Sequence, residues 1–492
     1  MEINDLTPAE RRVWDAFPRG EGVDFREDRN EEAVDGASWG PGRTVRAEVL
    51  AHLLLRGAAP LDGQVPGLNV RGARITGKLN LKYADIEHAI RLRACWFERK
   101  PILYGARLRI VSLSDSALPG LTASTVSVDI ALKLSCCRIT GPVRLAGARI
   151  AGGLFLQKAV IGTAGPAEEG QEAALQFNHA DIGTDVIAMD LTVHGQTRIN
   201  GATVGGQINL NNARLLAPGA IALHAETLTV GTDVRARGLE SRGMFNLTGS
   251  KIPGQLYLAD ARLIQPGGVA LRASSCAIGE VWLSGRECVQ GTMNLRRSQF
   301  DLLHVPPETW PRRIRIEGLT YRALSPHVPA EQRLPALERE ESGYLPYAYE
   351  QLAAAYRTVG DEAGARTVQL AKLRRHRRTL PRHARVWGLL QDATVGYGFR
   401  PLRAAGWLLA LLLTGTAAYW FHPPRELKAG ESPEFNPVFY TIDLMVPIIS
   451  FGQEAAYTPS GWYQWLSYLL IVTGWVLATT TAAGVSRSLQ RQ

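Results

Sequence analysis

The residue of this 492-residue sequence best placed for chemistry is Asp443, an acid in an otherwise largely apolar stretch, residues 435–452. Prolines interrupt the stretch, so it is suited to enter a membrane and return rather than to span it. In a closed assembly of several subunits, a ring of Asp443 carboxylates would concentrate cations in a pore. The further pore candidates are Pro447, Glu454 and Thr480. The alternative is that the stretch lies flat on the outer membrane surface and Asp443 is a solvated acid.

A second motif, TVGYG at residues 394–398, spells the selectivity-filter signature of potassium channels, whose backbone carbonyls replace the hydration shell of the ion. A filter requires a membrane-spanning helix and a pore helix before it. The basic run LRRHRR at residues 373–378 precedes the motif and cannot span a bilayer. We therefore interpret the motif as a glycine-rich bend where the chain enters the membrane.

Two apolar runs near the C-terminus are the elements that would position these residues. Residues 404–421 and 461–485 contain no charged side chain. As helices they would extend about 27 and 37 Å, enough to cross a hydrocarbon core of roughly 30 Å. The sequence therefore predicts two transmembrane helices, with a stripe of small residues at Gly474, Ala478 and Ala482 for close helix packing. The alternative is a buried hairpin in a soluble domain.

Charge predicts the orientation of these helices. Residues 372–403 carry nine lysines and arginines against one acid, whereas the connector, residues 422–460, carries two basic and five acidic side chains. The positive-inside rule then places both termini in the cytoplasm, as in a multi-pass protein of the cell (plasma) membrane. The residues expected to contact anionic lipids are Lys372, Arg374, Arg375, Arg377, Arg378 and Arg403. Because the rest of the chain is nearly neutral, nucleic acid is a poor candidate partner.

The N-terminus and the cysteines predict that the large domain stays in the cytosol. The first residues, MEIND, have neither the basic nor the apolar region of a signal peptide. The cysteines lack a CxxC spacing, which fits a reducing compartment. They are Cys95, Cys136, Cys137, Cys276 and Cys288. The adjacent pair Cys136 and Cys137 could be redox-active, but small buried residues on a strand are the preferred interpretation.

The middle of the chain is periodic, and the period predicts the fold class. Glycines recur about every 12 residues, and a shift of 48 residues superimposes GTDV at 183–186 on GTDV at 231–234. Apolar residues one position apart, such as Leu256 and Leu258, indicate short strands with one buried face. We predict a mainly β fold, a parallel β-helix over residues 61–303 with some ten coils of about two units each. Residues 163–174 interrupt the register and predict a loop.

Helices are expected on both sides of the solenoid. TPAE at residues 7–10 has the capping-box spacing, residues 45–55 form a second apolar helix, and we assign residues 1–60 to an N-terminal cap. The remaining domains are a linker, a tetratricopeptide-like helical hairpin and a basic juxtamembrane segment over residues 304–385, followed by a two-helix membrane domain over residues 386–492.

Four motifs together carry a resemblance to a known family. They are GARITG at 72–77, YEQLA at 349–353, GYGFRP at 396–401 and GWVLAT at 474–479. Over nearly its whole length the chain resembles bacterial pentapeptide-repeat-like membrane proteins, which implies a β-helix and, as in some of these proteins, a two-helix, ion-channel-like C-terminus. Its 12-residue rhythm differs from the five-residue rhythm of true pentapeptide repeats. Relatives are sometimes named membrane-associated oxidoreductases.

No sequence motif supports an enzyme or a bound cofactor. The sequence lacks a GxGxxG after a strand, a flavin or haem signature, and histidines at metal-binding spacing, so we expect neither cofactor nor metal. The preferred function is a membrane-anchored cytosolic scaffold, the alternative is an oligomeric channel gated by the solenoid, and an oxidoreductase comes third. Expected partners are anionic lipids, further copies of this chain and a protein bound to the solenoid surface.

Overall fold

A computed structural model describes residues 5–28, 31–56, 63–165, 172–379, 381, 401–428, 433–446 and 450–489, without the side chains of residues 401–404 and 478–489. The chain divides into two compact units, Met1–Val359 and Gly360–Gln492, which we describe separately.

The first unit is a parallel β-solenoid of about 12 turns, which confirms the predicted β-helix. Its strands form two sheets. In chain order the first sheet contains Val23–Asp24, Gly67–Arg71, Asp85–Ile86, Ala89–Arg93, Arg107–Ser112, Ser127–Lys133, Arg149–Ile150, Gly153–Phe155, Asp181–Ile182, Val186–Ile187, Thr203–Val204, Ile208–Asn209, Thr229–Val230, Val234–Arg235, Lys251–Ala259, Ala277–Ser284, Gln299–His304 and Thr320–Ser325. The second contains Thr44–Arg46, Arg74–Thr76, Trp96–Phe97, Ala117–Leu118, Leu121–Thr122, Arg138–Ile139, Val143–Arg144, Val160–Ile161, Leu175–Gln176, Thr192–His194, Thr197–Arg198, Arg214–His224, Glu240–Asn246, Arg262–Arg272, Val289–Asn294 and Arg313–Arg315.

Strand register explains the 48-residue period. Asp181 pairs with Thr203, 22 residues later, and Thr203 pairs with Thr229, 26 residues later. The same alternation follows as Thr229 pairs with Lys251 and Lys251 with Ala277. One period is therefore two coils. Each 12-residue unit supplies two short strands, so a coil has four sides where the sequence rhythm indicated two units.

The corners of the coils contain residues with left-handed backbone. His179 has φ 52°, and one coil later Gly201 has φ 62°. A Cβ on Gly201 would lie 2.5 Å from Nδ1 of His179, so the side chain of one corner covers the glycine of the next. Gly105 follows Tyr83 in the same way. At these two corners glycine is needed for space as well as for its positive φ.

The interior is an apolar ladder. Leu210 is 7% exposed and Leu258 is fully buried, two coils apart in the same column, as the sequence predicts. Val143 pairs with Leu175, 32 residues later, so the strands on either side of the loop predicted at 163–174 are paired in register.

Helices cover the N-terminal end of this ladder. Helix α1 (Pro8–Ala16) has the predicted capping box between Thr7 and Glu10. Helix α2 is Ala47–Arg56, and both helices contribute to the apolar core that continues into the coils. Short 3-10 helices span Phe17–Arg19, Ala33–Ser38, Pro41–Arg43 and, near the other end, Pro307–Thr309.

The C-terminal end of the solenoid lies further along the chain than predicted. Strands continue to Ser325 instead of ending at residue 303. Helices α3 (Ala330–Leu337) and α4 (Pro346–Thr358) follow, and Gln351 of α4 donates a 2.6 Å hydrogen bond to the carbonyl of Tyr321. Arg333 of α3 is 4% exposed and donates to the carbonyls of Val305 and Pro326. Helix α4, predicted as half of a hairpin, therefore caps the last coil.

The second unit is helical. It contains α5 (Glu362–Thr379), α6 (Pro401–Phe421), α7 (Pro437–Met445), α8 (Gln453–Ala456) and α9 (Trp462–Leu489), with an antiparallel pair of strands, Arg425–Glu426 and Tyr457–Thr458. Within the residues that the structure describes, no helix combines the length and the apolar character needed to cross a bilayer. Because α4 and α5 belong to different units, the predicted tetratricopeptide-like hairpin stays a prediction.

Candidate functional site

Helix α7 packs against both long helices of the second unit. Asn436 begins it by accepting hydrogen bonds from the amides of Val438 and Phe439, and Pro437 occupies the first helical position. A Cβ on Gly415 of α6 would lie 2.5 Å from Cγ2 of Thr441, and a Cβ on Gly474 of α9 would clash with the carbonyl oxygen of Met445. Glycine on each long helix therefore allows the close approach of α7.

Aromatic side chains fill the space between these helices. Tyr419 of α6 and Tyr440 of α7 are buried edge to face, with ring centroids 4.9 Å apart. The Tyr419 hydroxyl donates to the backbone carbonyl of Tyr463 on α9, at 3.2 Å. The predicted small-residue contact at Gly474 is thus made with the short helix α7, and the sequence contained no signal for the partner glycine, Gly415.

Asp443 holds the loop that follows α7. Its side chain is 4% exposed, and its oxygens accept hydrogen bonds from the amides of Phe451 at 2.6 Å, Gln453 at 2.8 Å and Glu454 at 3.3 Å. A buried carboxylate is stable when such donors surround it. Asp443 is therefore not the solvated acid of the alternative interpretation, because backbone amides replace water around its charge.

The other pore candidates are only partly described. Glu454 lies in the first turn of α8 with an exposed side chain. Pro447 and the side chain of Thr480 lie outside the described residues, as does the TVGYG motif at 394–398. Among the predicted lipid contacts, Lys372, Arg374, Arg375, Arg377 and Arg378 lie on the last two turns of α5, and the side chain of Arg403 is outside the described part.

The long helices expose large apolar side chains. Leu413 of α6 is 63% exposed and Val472 of α9 is 62% exposed. The others on these two helices are Trp407, Leu409, Trp420, Phe421, Trp462, Trp465, Tyr468, Leu469, Trp475 and Val476. Contiguous exposed apolar surface of this kind marks a site covered by lipid or by protein.

The solenoid displays regular rows of polar side chains. In one row, each residue pairs in register with the next, one coil further on, at a spacing of about 4.8 Å. The row is Arg144, Gln176, Arg198, His224, Asn246, Arg272 and Asn294. Arg198 is exposed and Arg144, Gln176 and His224 are partly exposed, whereas Asn246 and Asn294 are buried. The first four residues of the row therefore form a continuous surface for an extended partner.

The cysteines of the solenoid have the chemistry of packing residues. Burial raises the pKa of Cys95, Cys137 and Cys288 to about 12, so their thiolate fraction at neutral pH is negligible. Cys136, predicted to be buried with Cys137, is instead an exposed free thiol at a left-handed corner, φ 58°. Partial desolvation by its neighbours and the charge of Asp115 raise the pKa of Cys136.

The described residues contain no group of three or more His, Cys, Asp or Glu side chains that could hold a metal ion. A cavity of about 30 Å³ lies under the C-terminal cap, lined by Leu303, Trp310 and Tyr321 among others. It has room for about one water molecule and is a packing gap rather than a substrate pocket.

Comparison with known proteins does not assign the chain to a family. No family model, no curated protein and no solved structure matches the chain.

Proposed function

We propose that the protein is a membrane-anchored scaffold, whose cytosolic β-solenoid presents its outer rows of side chains to a partner. The contrast between its two surfaces carries the proposal. The solenoid turns its apolar side chains inward and polar rows outward, whereas α6 and α9 expose leucine, valine and tryptophan. A lipid bilayer is the environment in which the exposed apolar side chains of α6 and α9 would be buried. The uncharged runs at 404–421 and 461–485 overlap the same two helices, which supports this assignment.

The accessible part of the polar row, from Arg144 to His224, favours binding over catalysis. It repeats donors and acceptors once per coil, whereas an active site concentrates a few convergent groups in a pocket. A rigid solenoid holds such a row at fixed spacing without further cost in conformational entropy.

Labelling of single thiols tests the predicted topology. In a Cys136→Ser background, Ser432→Cys should react with a membrane-impermeant maleimide in intact cells, because the connector is expected outside. Ser488→Cys should react only after lysis. The exposed Cys136 of the wild type serves as a reporter for the solenoid and should likewise react only after lysis. Labelling of Cys136 or of Ser488→Cys in intact cells contradicts the proposal.

An oligomeric channel is the second candidate, favoured by the packing of α7. A short helix lies against two long helices through Gly415 and Gly474, and Asp443 fixes the loop that follows it. As a channel, the chain would follow the plan of helix, re-entrant segment, helix, which requires a closed assembly of several subunits.

The oligomeric state of the full-length protein in detergent tests the channel, since a monomer excludes a pore shared between subunits. In reconstituted bilayers, Asp443→Asn should reduce conductance, because an amide nitrogen cannot accept the backbone hydrogen bonds that hold the loop. Glu454→Gln, which changes an exposed acid on the adjacent helix α8, is the matched comparison. Absence of any conductance would leave the scaffold alone.

A further inference from the structure

Three arginines lie together on the outer side of the first coils. Strands Gly67–Arg71 and Ala89–Arg93 pair in parallel, with Arg71 opposite Arg93 and Asn69 opposite Arg91. The intervening apolar side chains are buried, so all three arginines leave the same face of the sheet. Because neighbouring strands are about 4.8 Å apart, Arg71 and Arg93 are direct neighbours.

This placement differs from the rest of the sheets. Among the strand pairs of the described chain, Arg71 and Arg93 are the only two lysines or arginines set directly opposite each other. Elsewhere an arginine faces an acid, as Arg107 faces Asp85, and Arg214 faces Glu240 with a nitrogen–oxygen distance of 3.3 Å. Like charges directly opposite each other destabilise a sheet. The arginine pair therefore carries a cost that these two pairs avoid.

The nearby acids Asp24 and Asp115 attract Arg71 and Arg93 without forming an ion pair with either. Asp24 lies opposite Arg71, but Arg26 occupies its carboxylate with nitrogen–oxygen distances of 2.9 and 3.1 Å. No carboxylate of the described residues forms an ion pair with Arg71, Arg91 or Arg93.

Arg93 is the most confined of the three. Its Nη2 donates a 3.3 Å hydrogen bond to Asn69, while its Nε is buried without a partner. Burial lowers the pKa of Arg93, and the charges of Arg71 and Arg91 lower it further, although Asp115 acts in the opposite direction. Because this Nε is buried, the donors that Arg93 can present to a ligand are those of its terminal Nη atoms, in a field of positive charge.

Hydroxyl donors complete the cluster on its next coil. Ser112 lies opposite Arg91, and its Oγ is 3.4 Å from that of Ser114. Guanidinium groups bind phosphate oxygens through paired hydrogen bonds, and serine hydroxyls add single ones. We propose that Arg71, Arg91 and Arg93, with Ser112 and Ser114, form a binding site for the phosphate group of a phosphate monoester or pyrophosphate.

Thermal unfolding of the full-length protein in detergent tests the site. Inorganic phosphate, pyrophosphate and water-soluble short-chain phosphatidic acid are each compared with chloride at equal ionic strength. At least one should raise the unfolding temperature, because it binds only the folded state. Arg93→Gln should raise the half-saturating concentration about tenfold or more, since it removes charge-assisted hydrogen bonds. Without anion, Arg93→Gln should unfold at or above the wild-type temperature, because the like-charge pair is gone.

Arg107→Gln is the matched control, because Arg107 lies on the same sheet opposite an acid. It should leave the response to phosphate unchanged. A stronger response to phosphatidic acid than to pyrophosphate assigns the site to a lipid headgroup, and the reverse order assigns it to a soluble ligand. Arg91→Gln replaces Arg93→Gln if the latter does not fold. The proposal fails if no phosphate compound exceeds chloride, or if the arginine variants respond like the wild type.

Discussion

The carboxylate of Glu10 joins three parts of the N-terminal cap. Its side chain is 1% exposed and accepts hydrogen bonds from the amide of Thr7 at 2.9 Å, and from the amide and guanidinium of Arg46 at 3.0 and 2.7 Å. Burial alone would raise the pKa of Glu10, but these hydrogen bonds outweigh it and lower the pKa from an ordinary 4.5 to about 2. The folded state therefore stabilises the ionised form of Glu10.

Glu10→Gln should make stability depend less on pH. The unfolded state binds more protons between pH 4.5 and 2, so the contribution of Glu10, on the order of 3 kcal/mol at neutral pH, is lost as the pH falls through that window. In denaturant unfolding, the deficit of Glu10→Gln relative to wild type should shrink from pH 7 to pH 2. The exposed Glu48→Gln should show no such trend, and a deficit for Glu10→Gln that is constant with pH would contradict the assignment.

For single residues, the sequence predicted contacts between neighbours in the chain and missed contacts between residues far apart in it. The Thr7 and Glu10 spacing indicated the capping box, because both residues belong to one turn. Its third member, Arg46, lies 36 residues from Glu10 and could not be inferred from spacing. Asp443 was correctly singled out as unusual, but its backbone donors, beginning at Phe451, are set by how the loop folds back.

Among the elements, the short strands depend on one inward side chain per coil side. Leu210 lies in the ladder at 7% exposure, whereas Asn209 faces outward and accepts a 3.1 Å hydrogen bond from the amide of Asn211. Stacked coils share these contacts only with their neighbours, so the loss of one ladder position exposes two interfaces.

Leu210→Asp should therefore unfold the solenoid, because it leaves an unpaired charge in an apolar ladder, at a cost of about 3 kcal/mol or more. Asn209→Asp keeps an acceptor for Asn211 on the outer face and should change the unfolding free energy by less than about 0.5 kcal/mol. Circular dichroism during thermal unfolding measures both. Equal losses in the two variants would mean that the register is wrong.

The sequence predicted strands where they repeat and missed them where the repeat fades. The glycine period indicated coils as far as Leu303, whereas strand Thr320–Ser325 has no glycine of that series and was assigned to a linker. The sequence did not show that coils of 22 and 26 residues alternate, because two coils together still average 12 residues per unit. Helix α4 has an apolar face that fits a hairpin or a cap equally well, and only the tertiary contact with Tyr321 distinguishes them.

On the scale of the whole molecule, the chain combines a polar-faced solenoid with a helical unit whose two long helices, α6 and α9, expose apolar side chains. The net charge of +9 comes mostly from the basic segment before α6, and the exposed side chains of α6 and α9 are leucine, valine and aromatic residues. Composition and hydropathy predicted this division, because each is a sum over many residues. The ligand of the solenoid could not be predicted, because it depends on which side chains meet across coils.

Extraction of membranes with alkaline carbonate tests the membrane anchor most directly. The full-length wild type should stay in the membrane pellet. The double variant Leu413→Arg, Val472→Arg should be released, because each arginine near the centre of a membrane helix costs about 2.5–3.5 kcal/mol. Leu427→Arg, at an equally exposed position of the connector, should stay in the pellet. Release of the wild type, or equal retention of the double variant, would contradict a membrane-anchored scaffold.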